Sequence, residues 1–347
     1  MGCKINFNGE LIMPTKILVT GAAGFIGYHT VLRLLERGED VVGIDNMNAY
    51  YDVKLKEARL SLLEAKPNFT FYRIPIEDHA EVIKVFEKED FDRVIHLAAQ
   101  VGVRSPPSEF HRYVSSNLVG FSNILDSCRI HTIQHLVYAS SSSVYGDMAV
   151  PPFRVQDTAI HPQNLYAATK RANELMAYSY SHQYQLPTTG LRLFTVYGPW
   201  GRPDMAVYSF TNKIETGQPI EVYGKGEVAR DFTYVDDIVE VIIKIVEKPP
   251  HTRLDESGII SSKARAQTFN VGGGRPVSIN QLVRILEDSL DKKADIQFKP
   301  RPTEDMQVTH ADLQDLEDLI GTLQITQLED GINQFVTWYR SYHHIDS

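Results

Sequence analysis

The sequence has few of the features that mark secreted, membrane-bound or nucleic-acid-binding proteins. Its 347 residues include only two cysteines, Cys3 and Cys128, which give neither a disulfide framework nor a metal-binding spacing. Such cysteine usage is typical of the reducing cytoplasm, and we predict that location. The first 13 residues resemble neither a signal peptide nor a transit peptide, and we predict that they form a disordered extension.

Long apolar runs and an excess of positive charge are lacking as well. The best candidate for a membrane span, residues 238–246, is short and interrupted by charged residues, whereas a span needs roughly 20 apolar residues. The formal net charge of −9 argues against a nucleic-acid partner, because nucleic acid is bound by basic surfaces. We therefore predict no membrane partner, no nucleic-acid partner and no bound metal.

Short apolar segments alternate with amphipathic helical stretches through the first 194 residues. The predicted strands are residues 16–20, 41–44, 69–74, 93–97, 134–138 and 189–194. Such alternation predicts an α/β fold with a Rossmann-type, doubly wound parallel sheet. After residue 194 the pattern becomes irregular and rich in proline and glycine, which predicts a smaller C-terminal substrate-binding domain.

A glycine motif follows the first predicted strand. Gly21, Gly24 and Gly27 precede a predicted helix, which is the context that a dinucleotide-binding loop requires. Without further support the motif could equally be a structural turn. Asp45 adds that support, because a carboxylate at the end of the second strand binds the adenosine ribose hydroxyls and repels a 2′-phosphate. We therefore predict NAD as the cofactor rather than NADP.

A tyrosine and a lysine, Tyr166 and Lys170, lie four residues apart on a predicted helix, so their side chains share one helical face. A cation beside a phenol favours the phenolate and lowers its pKa from an ordinary value of about 10. The tyrosine could then accept a hydroxyl proton at neutral pH. Taken alone, the pair could be an ordinary half-exposed tyrosine and a solvated lysine. With the dinucleotide loop, and with serines at 140–143 that can bind a sugar hydroxyl, it predicts hydride chemistry on an alcohol.

From about residue 16 to 340 the sequence resembles the extended short-chain dehydrogenase/reductase family. Within that family it is most similar to nucleotide-sugar epimerases of the UDP-glucuronate 4-epimerase type. The segments that carry the resemblance are TGAAGFIG at 20–27, HLAAQVGVR at 96–104, SNLVG at 116–120, YASSSSVYG at 138–146, HPQNLYAATK at 161–170, FTVYGPWGRPDM at 194–205 and RDFTYVDD at 230–237. The last two are the more specific, and WGRPDM indicates the uronate branch.

The resemblance implies NAD-dependent inversion at carbon 4 of a UDP-uronic acid, from UDP-glucuronate to UDP-galacturonate, through a 4-keto intermediate. The implied catalytic residues are Tyr166, Lys170 and Ser141. The implied NAD-binding residues are Gly21, Gly24, Phe25, Ile26, Gly27, Asp45, Asn46, Leu97, Ala98, Ala99, Gln100, Asn117, Tyr166 and Lys170. The implied UDP-sugar-binding residues are Arg104, Ser142, Ser143, Thr195, Arg202, Arg230 and Arg301.

Two roles among these arginines follow from the resemblance: Arg202 meets the sugar carboxylate, and Arg230 with Arg301 meets the pyrophosphate. Guanidinium groups are suited to both anions, and an acidic protein needs them locally. Extended family members usually pair through two helices per subunit, so we also expect a homodimer, through residues 109–129 and 163–184.

The predicted NAD-binding domain and UDP-sugar-binding domain are interleaved along the chain. The first comprises residues 14–194 with returns to the sheet near 232–248 and 267–274. The second comprises residues 195–231 and 275–347, and residues 251–266 form a predicted surface insertion.

Three alternative functions stay open at this point. One is a 4-epimerase for neutral UDP-glucose or UDP-N-acetylhexosamine. Another is a UDP-glucuronate decarboxylase, because a 4-keto uronate is a β-keto acid that loses CO₂ readily. The third is an inactive NAD-binding scaffold, whose mark would be the loss of Tyr166 or Lys170. The sequence leaves the preferred UDP-sugar and the direction of epimerisation open.

Overall fold

Seven parallel strands form the central sheet in the computed structural model of the chain. The structure describes residues 4–5, 11–12, 15–102, 106–147, 149–254, 260–300 and 306–345. In these residues the strands are β1 Lys4–Ile5, β2 Leu11–Ile12, β3 Lys16–Thr20, β4 Asp40–Ile44, β5 Phe69–Tyr72, β6 Arg93–His96, β7 His135–Ser141, β8 Thr188–Leu193, β9 Thr195–Tyr197, β10 Ile220–Tyr223, β11 Ala229–Tyr234, β12 Arg253–Leu254, β13 Ile260–Ser262, β14 Ala266–Val271, β15 Pro276–Ser278 and β16 Ile296–Lys299.

Helices follow most of the strands. The α-helices of the described residues are α1 Phe25–Glu36, α2 Val53–Glu64, α3 His79–Glu89, α4 Phe110–Tyr113, α5 Phe121–Ile130, α6 Leu165–Tyr184, α7 Ala206–Glu215, α8 Val235–Val246, α9 Ile279–Leu290, α10 Gln314–Ile320 and α11 Leu328–His343. A π-helix, Val114–Gly120, joins α4 to α5, and short 3₁₀ helices lie at Pro107–Glu109, Ser142–Tyr145 and Gly224–Gly226.

The central sheet has the strand order β14-β8-β7-β6-β3-β4-β5, and each neighbouring pair is parallel. This order confirms the predicted α/β fold with a Rossmann-type sheet. It reverses direction between β3 and β6, since the chain builds outwards through β4 and β5 on one side and through β7, β8 and β14 on the other. In such sheets, ligands bind in the crevice at the carboxyl ends of the strands where the order reverses.

Both faces of the sheet are covered, which explains why its strands read as nearly continuous apolar runs. Along β3, Ile17 and Val19 pack into a core with α1 and α8, whereas Leu18 packs into a second core with α3 and α5. All three side chains are almost completely buried. Because side chains alternate across a strand, this division follows from the sequence of β3. The sheet is therefore a rigid base for the loops at its carboxyl edge.

The remainder of the chain forms a smaller unit beside that edge. There β11 pairs with β9 in parallel and with β15 antiparallel, and β10 pairs with β16 in parallel. Helices α7, α9 and α11 contribute Tyr208, Leu286 and Phe335 to a third hydrophobic core. The helix α9 is capped by Ser278, whose side chain accepts a hydrogen bond from the Gln281 amide at 3.2 Å.

The two segments whose roles were least defined by sequence are short hairpins where they are described. In the N-terminal extension, β1 pairs with β2 antiparallel, and all other residues before Thr15 lie outside the described residues. In the insertion, β12 pairs with β13 antiparallel, and residues 255–259 lie outside the description. None of the helices in the described ranges has the length and apolar content needed to cross a membrane.

Candidate active site

A cavity of about 660 Å³ lies at the carboxyl edge of the sheet, where the strand order reverses. It receives residues from the glycine loop, from the ends of β4, β6 and β7, from the start of α6, and from the loops of the smaller unit. The predicted site residues that line it are Gly21, Gly24, Phe25, Ile26, Gly27, Asp45, Asn46, Leu97, Ala98, Ala99, Gln100, Ser141, Ser142, Ser143, Tyr166, Lys170, Thr195, Arg202 and Arg230.

Three predicted site residues are not among those lining residues. Arg104 and Arg301 lie outside the described residues. Asn117 is buried in the π-helix behind the cavity, where its amide accepts a hydrogen bond from the Gln100 amide at 2.8 Å and donates one to the Gln100 carbonyl at 3.0 Å. Its side chain therefore holds Gln100, which lines the cavity.

The glycine loop has no room for side chains. Gly21 has a φ of +72°, and a Cβ atom there would lie 2.8 Å from the Ala98 backbone nitrogen. A Cβ atom on Gly27 would lie only 2.0 Å from the Gly21 carbonyl oxygen. Gly24 begins α1 without a side-chain cap, so the first-turn N–H groups have no side-chain acceptor there. A closely approachable helix N-terminus of this kind fits a pyrophosphate.

The end of β4 supplies a buried carboxylate to the same cavity. One oxygen of Asp45 accepts a hydrogen bond from the Met47 amide at 2.8 Å, which fixes the direction of the side chain. Lys56, on α2, also lines the cavity and donates to Asn48 at 3.0 Å. Burial lowers the pKa of Lys56, and the charge of Asp45 acts in the opposite direction. Sequence reasoning missed Lys56, because it lies in a helix eleven positions after Asp45.

Helix α6 positions the tyrosine and the lysine. Its first turn is fixed by Asn164, whose side chain accepts a hydrogen bond from the Ala167 amide at 2.9 Å. The Lys170 ammonium lies 6.0 Å from the centre of the Tyr166 ring, so the two side chains share one face as predicted. It donates a hydrogen bond to the Ala139 carbonyl at 2.9 Å, and burial lowers the pKa of Lys170 to about 8.

The electrostatic environment of Tyr166 differs from the sequence-based expectation. The pKa of Tyr166 is raised rather than lowered, because burial outweighs the Arg202 guanidinium and a hydrogen bond with Ser141, which both act to lower it. The principal cation acting on the phenol is therefore Arg202, not Lys170. The reason is directional: the lysine ammonium is held at the Ala139 carbonyl, a detail that helical spacing cannot reveal.

The four serines at and beyond the end of β7 have two kinds of contact. Ser141 accepts hydrogen bonds from the Ser143 amide at 3.2 Å and from the Ser143 hydroxyl at 2.9 Å, and both side chains line the cavity. Ser140 instead donates to Glu174 at 2.6 Å, and Glu174 is paired with Arg192 at 2.8 Å in the interior. Ser140 therefore anchors the strand end, and this leaves the following serines at the cavity wall.

The arginines of the smaller unit come from strand β11 and from the loop before α7. Arg230 lies at the start of β11, donates to the Ala229 carbonyl at 2.9 Å and lines the cavity. The guanidinium of Arg202 lies 5.6 Å from the centre of the Tyr50 ring. Its Nε donates to Asp204 Oδ1 at 3.0 Å, and Nη2 donates to the other oxygen of the same carboxylate. Neither Tyr50 nor Asp204 was predicted, although Asp204 lies within the WGRPDM segment.

A buried arginine that sequence reasoning also missed connects the two sides of the cavity. Arg59, on α2, donates to the Ala23 carbonyl in the glycine loop at 2.9 Å and to the Tyr51 hydroxyl at 2.7 Å. Its other terminal nitrogen donates to the Trp200 carbonyl at 2.5 Å. Trp200 has a left-handed backbone with a φ of +61° and lies two residues before Arg202. Arg59 thus links the loop that carries Arg202 to the glycine loop.

Comparison with known proteins identifies a matching family and similar structures that were solved with ligands. The model of the NAD dependent epimerase/dehydratase family matches residues 17–261. UDP-glucuronate 4-epimerase 1 of Arabidopsis thaliana is 44% identical over 333 residues, which are 94% of this chain and 77% of that protein. The crystal structure of a Bacillus cereus UDP-glucuronic acid 4-epimerase, in complex with UDP-glucuronic acid and NAD, superposes with a TM-score of 0.84. The superposition covers 94% of this chain and all of that one, at 31% identity.

Another similar structure is that of an epimerase solved with a neutral sugar nucleotide. UDP-glucose 4-epimerase from Thermotoga maritima, solved with UDP-glucose, has a TM-score of 0.82 and 28% identity over 95% of this chain and all of that one. The TM-scores of the two solved structures are nearly equal. The fold alone therefore does not distinguish the sugars, and the distinction has to come from side chains in the cavity.

Proposed function

The chain belongs to the NAD dependent epimerase/dehydratase family, and from that premise we propose that it inverts carbon 4 of a UDP-uronic acid, converting UDP-glucuronate to UDP-galacturonate. The observation that carries the proposal is the presence of the Arg202 guanidinium in one cavity with Tyr166. A cation that faces the proton-accepting phenol can bind a carboxylate beside the reacting carbon. A neutral sugar has no group that uses such a charge.

The residues of the dinucleotide side fit NAD. The glycine loop admits a pyrophosphate next to the N-terminus of α1, and Asp45 offers a carboxylate to the ribose hydroxyls. When bound, NAD accepts a hydride from the sugar and returns it to the same carbon, so it is recycled in each turnover.

In the proposed mechanism Tyr166 is the base that takes the proton of the sugar 4-hydroxyl and later returns it. Arg202 and the hydrogen bond with Ser141 favour the phenolate against the effect of burial. Lys170 holds the Ala139 carbonyl, which fixes the end of β7 next to the serines. We propose that its ammonium also binds a ribose hydroxyl of NAD. Ser142, Ser143 and Thr195 line the sugar site.

The uronate requires a carboxylate clamp. Oxidation at carbon 4 gives a β-keto acid, which loses CO₂ when the bond to the carboxylate aligns with the π system of the ketone. An epimerase has to hold the carboxylate out of that alignment while the ketone is seated for hydride transfer, before and after the ring turns, and we assign this function to Arg202 with Thr195. Arg230 is assigned to the pyrophosphate. Arg104 and Arg301 keep the same proposed roles in substrate binding, although they lie outside the described residues.

The division of labour along the chain follows from these assignments. We propose that residues 14–194, with the returns at 232–248 and 267–274, bind NAD, and that residues 195–231 and 275–347 bind the UDP-sugar. Apolar side chains on α4 and α6 support a homodimer, because Phe110, Leu175 and Tyr178 are 40%, 57% and 51% exposed. The measurement for the dimer is the molar mass in solution by light scattering. Cytoplasmic location stays a prediction.

The test is a product profile. The purified protein is incubated with NAD and, separately, with UDP-glucuronate, UDP-galacturonate, UDP-glucose and UDP-N-acetylglucosamine, and the products are resolved by chromatography and mass spectrometry. Interconversion of the two uronates without a change of mass is the expected result. Loss of the mass of CO₂ would instead identify a decarboxylase, and turnover of only the neutral sugars would identify a hexose epimerase.

A further inference from the structure

The arginine that faces the catalytic phenol already holds a carboxylate from its own loop. Arg202 makes two hydrogen bonds to the two oxygens of Asp204, through Nε at 3.0 Å and through Nη2. This is the two-point geometry in which a guanidinium binds any carboxylate, including that of a sugar acid. A uronate that approaches Arg202 from the cavity therefore meets a site with a resident anion.

The two partners of this ion pair differ in their access to water. The Arg202 side chain is 18% exposed, whereas that of Asp204 is 37% exposed. A carboxylate that leaves the pair can be hydrated where it stands, so its release costs little. A guanidinium left without a partner in a nearly closed site costs much more. The pair is thus arranged so that the aspartate can leave and the arginine needs a replacement.

We infer that Asp204 is a place-holder for the sugar carboxylate. Asp204 binds Arg202 whenever the sugar carboxylate is not bound there, and it releases the guanidinium when the sugar carboxylate arrives. The inference rests on the proposed function and names the step in which the exchange matters. Inversion at carbon 4 requires the keto sugar to present its other face, and turning the ring moves the carboxylate on carbon 5. Asp204 takes the guanidinium during that movement, so Arg202 is never left unpaired.

Two consequences follow for binding and turnover. Asp204 competes with the uronate, so it weakens the affinity for UDP-glucuronate. It also makes the departure of the carboxylate from Arg202 easier, so it speeds the turning of the ring. UDP-glucose has no carboxylate and leaves the Arg202–Asp204 pair intact. Its affinity should therefore depend on Asp204 only through the general charge of the cavity.

The experiment measures dissociation constants by calorimetry for UDP-glucuronate and UDP-glucose, with and without Asp204→Asn. The NAD-loaded protein carries Tyr166→Phe in both cases, to prevent turnover. Asparagine keeps the shape and one acceptor but removes the charge. We expect the preference for UDP-glucuronate over UDP-glucose to rise about tenfold. In the protein that retains Tyr166, Asp204→Asn should lower both kcat and KM for the epimerisation of UDP-glucuronate. Asp204→Ser should act in the same direction.

The control is Asp288→Asn on the exposed side of α9, which changes the net charge equally and should leave the preference unaltered. Because both UDP-sugars carry the same pyrophosphate, the ratio of their affinities removes any general electrostatic gain. A ratio within about twofold of the parent protein, in a protein that does epimerise UDP-glucuronate, overturns the inference and leaves the proposed function standing. Failure of the unmodified protein to convert UDP-glucuronate overturns the proposed function itself.

Discussion

The two sides of the cavity achieve recognition by different physical means. On the dinucleotide side the glycine loop acts through its backbone: Gly21 and Gly27 have no space for a side chain, and the loop leads into the N-terminus of α1. The sugar side relies on side chains, and its Arg202, which lies on a loop, is already paired with Asp204. Backbone recognition demands shape and little charge, whereas side-chain recognition demands charge and a means of exchanging partners.

The largest effect is expected where the two sides meet, at Tyr166. The change Tyr166→Phe removes the proton acceptor and leaves the ring in place. We expect kcat to fall by about 10³-fold, a typical contribution of a general base. The affinities for NAD and UDP-glucuronate, measured by calorimetry, should change little. Tyr184→Phe, at the exposed end of the same helix, is the matched control and should keep full activity. Equal loss in both variants would remove Tyr166 from the mechanism.

Breaking the sugar side alone should change selectivity. The change Arg202→Lys keeps the positive charge but loses the fork that binds a carboxylate at two points. We expect KM for UDP-glucuronate to rise by roughly one to two orders of magnitude, as for loss of a charged hydrogen bond. A UDP-pentose by-product should appear as the clamp loosens. The readouts are steady-state kinetics and product mass. The control is Arg284→Lys, at an exposed position of α9. Unchanged selectivity in Arg202→Lys would refute the clamp.

Breaking the dinucleotide side should change cofactor binding instead. In Gly27→Ala the new methyl group would lie 2.0 Å from the Gly21 carbonyl oxygen, so the loop has to move. We expect the affinity for NAD to fall about tenfold, from the usual cost of an added methyl group in a packed site. Gly217→Ala is the control for local strain, since its φ of +66° disfavours alanine but no atom lies within 4 Å of its Cβ position and it does not line the cavity. Unaltered NAD affinity in Gly27→Ala would contradict backbone recognition.

The success of sequence-based prediction also differs between the two sides of the cavity. The alternation of strands and helices predicted the sheet, because each strand of a parallel sheet is buried on both faces and each crossover is helical. The glycine loop and Asp45 could be found because their function depends on order along the chain. Both motifs lie beside the crevice at which the order of the strands reverses.

The parts that sequence missed depend on loop conformation and on atom direction. The left-handed backbone of Trp200 is rare for a bulky residue, so no propensity predicts the loop that brings Arg202 to Asp204. Arg59 acts across 141 positions, on Trp200. Helical spacing placed Lys170 beside Tyr166 but could not show that its ammonium points to the Ala139 carbonyl.

The smallest expected effect concerns pH and the residue between the two sides, Lys170. Its pKa is lowered to about 8 by burial, so the ammonium is present below that pH and is lost as the pH rises through it. We expect kcat/KM for UDP-glucuronate to decline above about pH 8. In Lys170→Arg the remaining activity should keep its level to higher pH, because a guanidinium stays charged. Identical alkaline limbs in the two proteins would assign the titration to another group.

The most direct test of epimerisation through oxidation and return at one carbon uses UDP-glucuronate labelled with deuterium at carbon 4 of the sugar. The protein is incubated with it in ordinary water, and the UDP-galacturonate formed is examined by NMR and mass spectrometry. We predict that the deuterium is retained at carbon 4, because the same hydride is removed and restored within one cavity. Product that has lost the deuterium to the solvent would contradict the account.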